Sequence, residues 1–146
     1  VIHAPVTGEI FTAFADGPAQ INGQELAQLP QIAGERMTLS LPDGVRRRLR
    51  PVDAARIDLA ASIPSLAYRL AQVARGRLDG TIVQPRANDW DIAAADLILD
   101  RAGGALLNGV GQHHNYNLTP RRHGLLIAGG KGVLPRLQEI AASLHE

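Results

Sequence analysis

The stretch from Ser62 to Gly76 constrains the fold most, because its apolar residues recur with the spacing of one helix face. They occupy relative positions i, i+3, i+4, i+7, i+8 and i+11: Ile63, Leu66, Ala67, Leu70, Ala71 and Ala74. This spacing predicts a helix with one buried side, for which Ser62 can be the N-cap and Gly76 the end. Such a helix needs a sheet or another helix to cover it.

A strand and a second helix follow this first helix. Leu78–Gln84 is short, largely apolar and closed by a proline, which is typical of a buried strand. The next helix is predicted from Asp89, as its N-cap, to Arg101, and Gly103-Gly104 ends it. Because nearly all of residues 90–99 are apolar, we expect this helix to be buried on most sides.

Two strands and a final helix complete the second half. Short apolar runs predict strands at Ala105–Leu107 and Gly124–Ala128, separated by a polar loop, Asn108–Arg122. The last helix is predicted over about Gly132–Leu144. Helix, strand, helix, strand, strand and helix is an α/β order, and no linker interrupts it. We therefore predict one α/β domain over residues 1–146.

The first half of the chain is less regular. Val1–Pro5 and Glu9–Ala15 predict two paired strands, and Asn22-Gly23 predicts a second tight turn. Met37–Leu41 alternates as a strand does. Asp53–Ala61 fits either a short helix or a loop and a strand, so the order of elements there stays open.

Composition excludes several classes of protein. The 146 residues are 45% apolar and 20% charged, as in globular domains, and the formal net charge of +1 gives no field that would favour nucleic acid. The chain has no cysteine for a disulfide or a thiolate metal site. Neither a long apolar run nor a signal peptide is visible, so we expect a cytoplasmic protein without membrane contact. Val1 opens in a strand-like run without a Met, which predicts a chain cut from a longer one.

Two carboxylates lie two residues apart where the second helix is predicted to begin. On the structural interpretation, Asp89 caps the helix and Asp91 lies in the first turn, where the helix dipole favours a negative charge. On the functional interpretation, a carboxylate binds Mg²⁺, which usually takes one or two protein carboxylates beside substrate phosphate. One Asp cannot hold such an ion, so further ligands must come from elsewhere.

The segment around these acids resembles the carboxyl-terminal signature of the inositol monophosphatase family. That signature is a Trp-Asp pair, a helix of small residues and an Ala-Gly-Gly exit, and Trp90-Asp91 through Ala102-Gly103-Gly104 match it. The likeness extends to the first two strands, the Asn22-Gly23 turn and residues 65–80. It implies the carboxyl-terminal α/β half of a layered α-β-α-β-α sandwich.

The resemblance also implies a magnesium-dependent phosphomonoesterase that hydrolyses a sugar or inositol phosphate, or a 3′-phosphorylated adenosine nucleotide. Asp91 is the metal ligand that the match carries over. The family's other ligands, a Glu and an Asp-Pro-Ile/Leu-Asp-Gly-Thr segment, belong to an amino-terminal half that this sequence lacks. We therefore expect the chain to need that half as a partner, and to be inactive alone. A homodimer is a further expectation.

Three positions are candidates for substrate contact. The family commonly has Gly-Ser/Thr-Ala where this chain has Pro64-Ser65-Leu66, so Ser65 keeps the hydroxyl. Arg69 stands where nucleotide phosphatases of the family often have Lys, although a solvated helix arginine is an equally good interpretation. Gln84, or its neighbour Val83, stands where many inositol phosphatases have a Glu that touches the sugar. These departures favour a nucleotide or a generic sugar phosphate over inositol monophosphate.

Other patterns leave alternatives open. His113-His114 fits a transition-metal site or, preferably, a solvated loop. Arg46–Arg50 fits an anion contact or, preferably, a solvated run. The alternative to an enzyme is a non-catalytic domain that keeps the fold as an interaction or oligomerisation module. Residues before Val1 would decide between these functions, because they would carry or lack the missing metal ligands.

Overall fold

The structure, a computed structural model, describes residues 1–117 and 122–144. In chain order its elements are β1 (Ile2–Ala4), β2 (Glu9–Thr12), β3 (Gln20–Ile21), β4 (Gln24–Glu25), β5 (Met37–Leu39), α1 (Asp43–Arg46), α2 (Pro51–Ala54), β6 (Ile57–Leu59), α3 (Leu66–Ala74), β7 (Gly80–Val83), α4 (Asp89–Arg101), β8 (Gly104–Asn108), β9 (Leu126–Gly130) and α5 (Leu134–Ser143). The predicted α/β class is confirmed.

The small sheet is an antiparallel meander of β1 to β4. Its last turn is the predicted one, since Asn22 and Gly23 have φ angles of 49° and 79°, the pair of positive values that a tight hairpin turn needs. The Asn22 side chain also accepts a hydrogen bond of 2.8 Å from the Ile10 amide, which ties the turn to β2.

The large sheet has the strand order β6-β5-β7-β9-β8. Strand β5 runs parallel to β6 and β7, whereas β9 is antiparallel to β7 and β8. Helices α1 and α2 connect β5 to β6, and α3 connects β6 to β7. The segment Asp53–Ala61 contains parts of both predicted alternatives, because helix α2 ends at Ala54 and strand β6 begins at Ile57.

Two apolar cores separate the layers. Helices α3 and α4 lie between the small sheet and the large sheet, and their core includes Phe11, Leu70, Leu99 and Leu106. Helix α5 covers the other face of the large sheet, around Leu137. The layers are thus β, α, β and α, as expected for part of the predicted sandwich.

The start of α3 differs from the prediction. Ser65, not Ser62, is the N-cap, and its hydroxyl oxygen accepts a hydrogen bond of 3.3 Å from the Tyr68 amide. Ile63 precedes a proline, which disfavours the helical conformation at that residue and delays the helix.

Helix α4 is less buried than predicted, and its N-cap is Asn88, not Asp89. Its buried residues form one face: Ile92, Ala95, Ile98 and Leu99. Trp90 lies off that face and is 73% exposed, because α3 and β8 pack against the opposite side of the helix. Among the described residues, no helix is long and apolar enough to span a bilayer. Residues 118–121 of the predicted polar loop lie outside the described part.

Candidate functional site

The starts of α1 and α3 and the end of β7 enclose an open cleft of about 410 Å³. Asp43, Arg69, Gln84, Arg86 and Ala87 are among the residues that line it. We call it the arginine cleft. It brings together two of the three predicted substrate-binding residues, Arg69 and Gln84.

Arg69 is buried, so its interpretation as a solvated helix residue is wrong. The residue is 7% exposed, and its Nη1 donates a hydrogen bond of 3.1 Å to the Ile63 carbonyl. Its Nε is buried without a hydrogen-bond partner. Burial lowers the pKa of this guanidinium, but arginine is basic enough to stay charged. A buried cation at the wall of a cleft is a ready contact for an anion.

Gln84 is exposed at the end of β7 and lies against Gly44 of α1. A Cβ at Gly44 would collide with the Gln84 amide nitrogen, so glycine there leaves room for this side chain. Gln84 therefore crosses from the large sheet toward α1 and presents an amide to the cleft.

Arg86 is a cleft residue that the sequence did not suggest. Its φ angle is +86°, in the left-handed region that favours glycine. Its backbone amide donates a hydrogen bond of 2.8 Å to the His123 carbonyl, 37 residues along the chain. No local pattern predicts such a partner, and a run such as Gln84-Pro85-Arg86 is ordinary loop composition.

Ser65 is exposed beside the cleft and does not line it. Its oxygen accepts the Tyr68 amide, so the hydroxyl has a structural role in capping α3. A hydroxyl that accepts one hydrogen bond can still donate another.

Asp91 lies in the first turn of α4, as predicted. Its Oδ2 accepts hydrogen bonds from the Asn88 backbone amide, at 2.8 Å, and from the Asn88 side chain, at 3.2 Å. Within the described residues its Oδ1 makes no hydrogen bond. Asp91 is not among the residues that line the arginine cleft, whereas Ala87, four residues before it, is. The cap uses one carboxylate oxygen and leaves the other for a ligand.

The donor chemistry of Asp91 suits a hard cation, which prefers carboxylate oxygen. Over residues 1–117 and 122–144, no group of three His, Cys, Asp or Glu side chains is placed to hold a metal ion. The described part of the chain therefore offers a single ligand and not a whole site.

A second polar region lies against α4. We call it the ring cluster: His114, Tyr116 and His123, with Asp89 and Asp96 of α4. His123 Nε2 lies 2.6 Å from Asp89 Oδ1, and the Tyr116 hydroxyl donates a hydrogen bond of 2.6 Å to Asp96. Because an ionised carboxylate only accepts, His123 Nε2 carries the proton.

The three rings of this cluster pack edge to face. His114 lies 4.8 Å from both Tyr116 and His123, measured between ring centroids. Its side chain is 7% exposed, so the solvated-loop interpretation is wrong for His114, and neither ring nitrogen has a hydrogen-bond partner. Burial lowers the pKa of His114 and raises that of Tyr116.

Comparison with known proteins gives the family. Nus factor SuhB of Escherichia coli K12 is 30% identical over 144 residues, which is 92% of this chain and 51% of the relative. Inositol monophosphatase 2 of Solanum lycopersicum is 29% identical over 131 residues, or 84% of this chain and 49% of the relative. The chain thus spans about half the length of the curated relatives that it matches.

Solved structures of other proteins have a similar fold. The extragenic suppressor protein suhB of Bartonella henselae superposes with a TM-score of 0.78 at 23% identity, over 95% of this chain and 54% of that one. The IMPase of Thermotoga maritima gives a TM-score of 0.79 at 22% identity, over 98% and 55%. These likenesses show the fold, of which this chain covers about half. The sequence profile of the inositol monophosphatase family matches residues 1–146, and the chain therefore belongs to that family.

Proposed function

We propose that the whole protein hydrolyses a small phosphate monoester with Mg²⁺ as its cofactor, and that this chain supplies one metal ligand and part of the substrate cleft. One observation carries the proposal: Asp91 keeps a carboxylate oxygen available in the first turn of α4, and Ala87, four residues before it, lines a cleft whose wall holds a buried arginine. Family membership supports the same class of reaction.

The residues of this chain have distinct roles in that reaction. Asp91 would hold the cation through a carboxylate oxygen, and the Asn88 amide fixes the orientation of the carboxylate through Oδ2. When bound, Mg²⁺ activates the attacking water and offsets charge on the phosphoryl oxygens. Arg69 binds an anionic group of the substrate, Gln84 hydrogen-bonds a hydroxyl or base, and Ser65 can donate from the margin of the cleft.

Substitution of Asp91 tests the reaction. In the whole protein, we expect Asp91→Asn to lower Mg²⁺-dependent phosphate release by about 100-fold or more and to leave the fold intact, because the Asn oxygen can still accept the Asn88 amide. Asp100→Asn, on the exposed face of the same helix, is the matched control and should keep most of the activity. Equal activity in wild type and Asp91→Asn would contradict the proposal. Residues 1–146 alone should release no phosphate, because one carboxylate cannot assemble the metal site.

Substitution of Arg69 tests the choice of substrate. We propose a 3′-phosphorylated adenosine nucleotide or a sugar phosphate over inositol monophosphate, because a guanidinium can bind a second phosphate bidentately. Arg69→Ala should weaken binding of a 3′,5′-bisphosphate by about tenfold to 100-fold, the cost of one charge-assisted hydrogen bond, and weaken binding of a monophosphate much less. Equal losses for both would make Arg69 a structural residue.

A non-catalytic role is the second candidate, since several relatives are named Nus factor SuhB. In that case the fold is an interaction module, and its partners, the amino-terminal half and a second copy included, bind surfaces that do not depend on the metal. Asp91→Asn distinguishes the two roles, because it removes phosphatase activity and leaves association with a partner unchanged. Both roles are compatible with a cytoplasmic protein, which stays a prediction.

A further inference from the structure

Arg86 adopts a backbone conformation that its side chain does not favour. Three residues other than glycine have positive φ angles in the described part of the chain: Asn22, Arg86 and Asn117. Asparagine tolerates this region because its short side chain can hydrogen-bond locally. An arginine has no such compensation, and strained residues of this kind concentrate at functional sites.

The backbone around Arg86 is held in place by the strand-like pairing of two segments. The Arg86 amide donates to the His123 carbonyl at 2.8 Å, and the His123 amide donates to the Ala87 carbonyl at 2.9 Å. These bonds fix the conformation whatever side chain stands at position 86. Glycine would adopt it without strain, so the fold alone gives no reason for an arginine.

Arg86 is exposed and lines the arginine cleft together with the buried Arg69. Asp43 lines the same cleft, but it is 3.4 Å from Arg46 and is already part of an ion pair. Within the described residues neither Arg69 nor Arg86 forms an ion pair with a carboxylate. Two arginines without a protein counter-ion therefore face one cavity, and one of them has a buried Nε that lacks a partner.

We propose that Arg86 and Arg69 together form a subsite for a second anionic group of the substrate, and that Arg86 determines the preference for doubly phosphorylated over singly phosphorylated molecules. This rests on the proposed function, in that the arginine cleft is taken as the substrate cleft. Two guanidinium groups bind a phosphate through several charge-assisted hydrogen bonds, which a single phosphate held at the metal would not use.

The test separates strain from binding in the whole protein. We would measure the Tm, and the Kd of adenosine 3′,5′-bisphosphate and of adenosine 3′-monophosphate by calorimetry with Ca²⁺ in place of Mg²⁺, so that one phosphate still has a cation to bind. Arg86→Gly should raise the Tm by about 2–4 °C through relief of strain and weaken bisphosphate binding at least about tenfold, with less than about a twofold change for the monophosphate. Arg86→Asn should weaken bisphosphate binding by a similar factor, and asparagine tolerates a positive φ at this position. Arg48→Gly is the matched control: Arg48 is exposed, does not line the cleft, and should leave both affinities unchanged.

Two results would overturn the inference. One is an unchanged ratio of bisphosphate to monophosphate affinity in Arg86→Gly. The other is a loss of the same size in Arg48→Gly, which would assign the effect to general surface charge and not to the cleft. Phosphate release with Mg²⁺ is measured separately on the same samples. If wild type releases no phosphate but Arg86→Gly loses bisphosphate affinity, the phosphatase proposal fails and the subsite stands. If wild type is active and the affinity ratio is unchanged in Arg86→Gly, the phosphatase proposal stands and the subsite fails.

Discussion

The ring cluster includes Asp89 in the first turn of α4 and the arginine cleft includes Ala87 just before that helix, yet the charged groups of the two regions differ in their hydrogen bonding. In the ring cluster both carboxylates have protein donors, since Asp89 binds His123 and the Asn117 amide, and Asp96 binds Tyr116. In the cleft, the guanidinium of Arg69 has a carbonyl partner for one nitrogen and none for its Nε. Buried polar groups that are satisfied within the chain hold structure together, whereas unsatisfied ones at a cavity wall are available to a ligand.

The largest expected effect is on the free energy of unfolding, and it tests whether the ring cluster has a structural role. Asp89→Ala removes the acceptor for the His123 ring, at 2.6 Å, and for the Asn117 amide, at 2.8 Å. Because it leaves donors without partners, the free energy of unfolding should fall by about 2–4 kcal/mol in a urea titration. Affinity for phosphorylated ligands should stay within about twofold.

Asp100 provides the control for this experiment, because it lies on the same helix with its side chain 62% exposed. Asp100→Ala should change the free energy of unfolding by less than about 0.5 kcal/mol. If Asp89→Ala instead lost ligand affinity at unchanged stability, the ring cluster would be the binding site and the comparison would be reversed.

A smaller effect sharpens the comparison through pH. His114 is the exception in the ring cluster, because burial lowers its pKa and neither ring nitrogen makes a hydrogen bond, although Nε2 lies 3.6 Å from Asp96 Oδ2. Asp96 and Asp89 oppose this shift, whereas His123 and His113 add to it. A lowered pKa means that the unfolded chain binds the proton more tightly. Stability is therefore fully present above the unfolded value of about 6.5 and falls as the pH drops below it.

Unfolding titrations between pH 7.5 and about pH 5 measure this dependence. The contribution of His114 is at most about 1.4 kcal/mol per pH unit, and His114→Gln, which does not titrate, should remove it. His113→Gln is the control, since His113 is exposed and adjacent. The same slope in wild type and His114→Gln would assign the pH dependence to other groups.

The sequence predicted the regular elements of the second half well, and in the first half it predicted β1, β2 and β5 but not α1 and α2. Helix α3 and strand β7 follow from apolar spacing over consecutive residues, which is a local signal. Helices α1 and α2 have four residues each, so they carry no repeat to detect, and β6 is defined by its parallel pairing with β5. Ser62 and Ser65 both suit an N-cap, and Pro64 between them disfavours the helical conformation at Ile63 and so selects Ser65.

Some features of the candidate site could likewise be predicted from local sequence signals, and others could not. The first-turn position of Asp91 could be predicted, because a helix start has local signals. The burial of Arg69 could not, since a charged residue on a helix is normally assigned to solvent. The φ angle of Arg86 and the Asp89–His123 contact depend on chain segments more than 30 residues apart, and only the folded chain brings these together.

The smallest expected effect concerns Gly44, and it asks whether the cleft places Gln84 for a ligand. A Cβ at Gly44 would collide with the Gln84 amide, but the far end of a flexible, exposed side chain can rotate away at little cost. Alanine also favours a helix over glycine by up to about 1 kcal/mol, so Gly44→Ala should keep or slightly raise the Tm. If Gln84 contacts the substrate from its present position, substrate affinity should fall about two- to fivefold. A double-mutant cycle decides the cause, because Gly44→Ala should have no effect on affinity once Gln84→Ala has removed the amide. An equal loss in both backgrounds would mean that Gly44 acts through the backbone of α1, and that Gln84 has no placed role in the cleft.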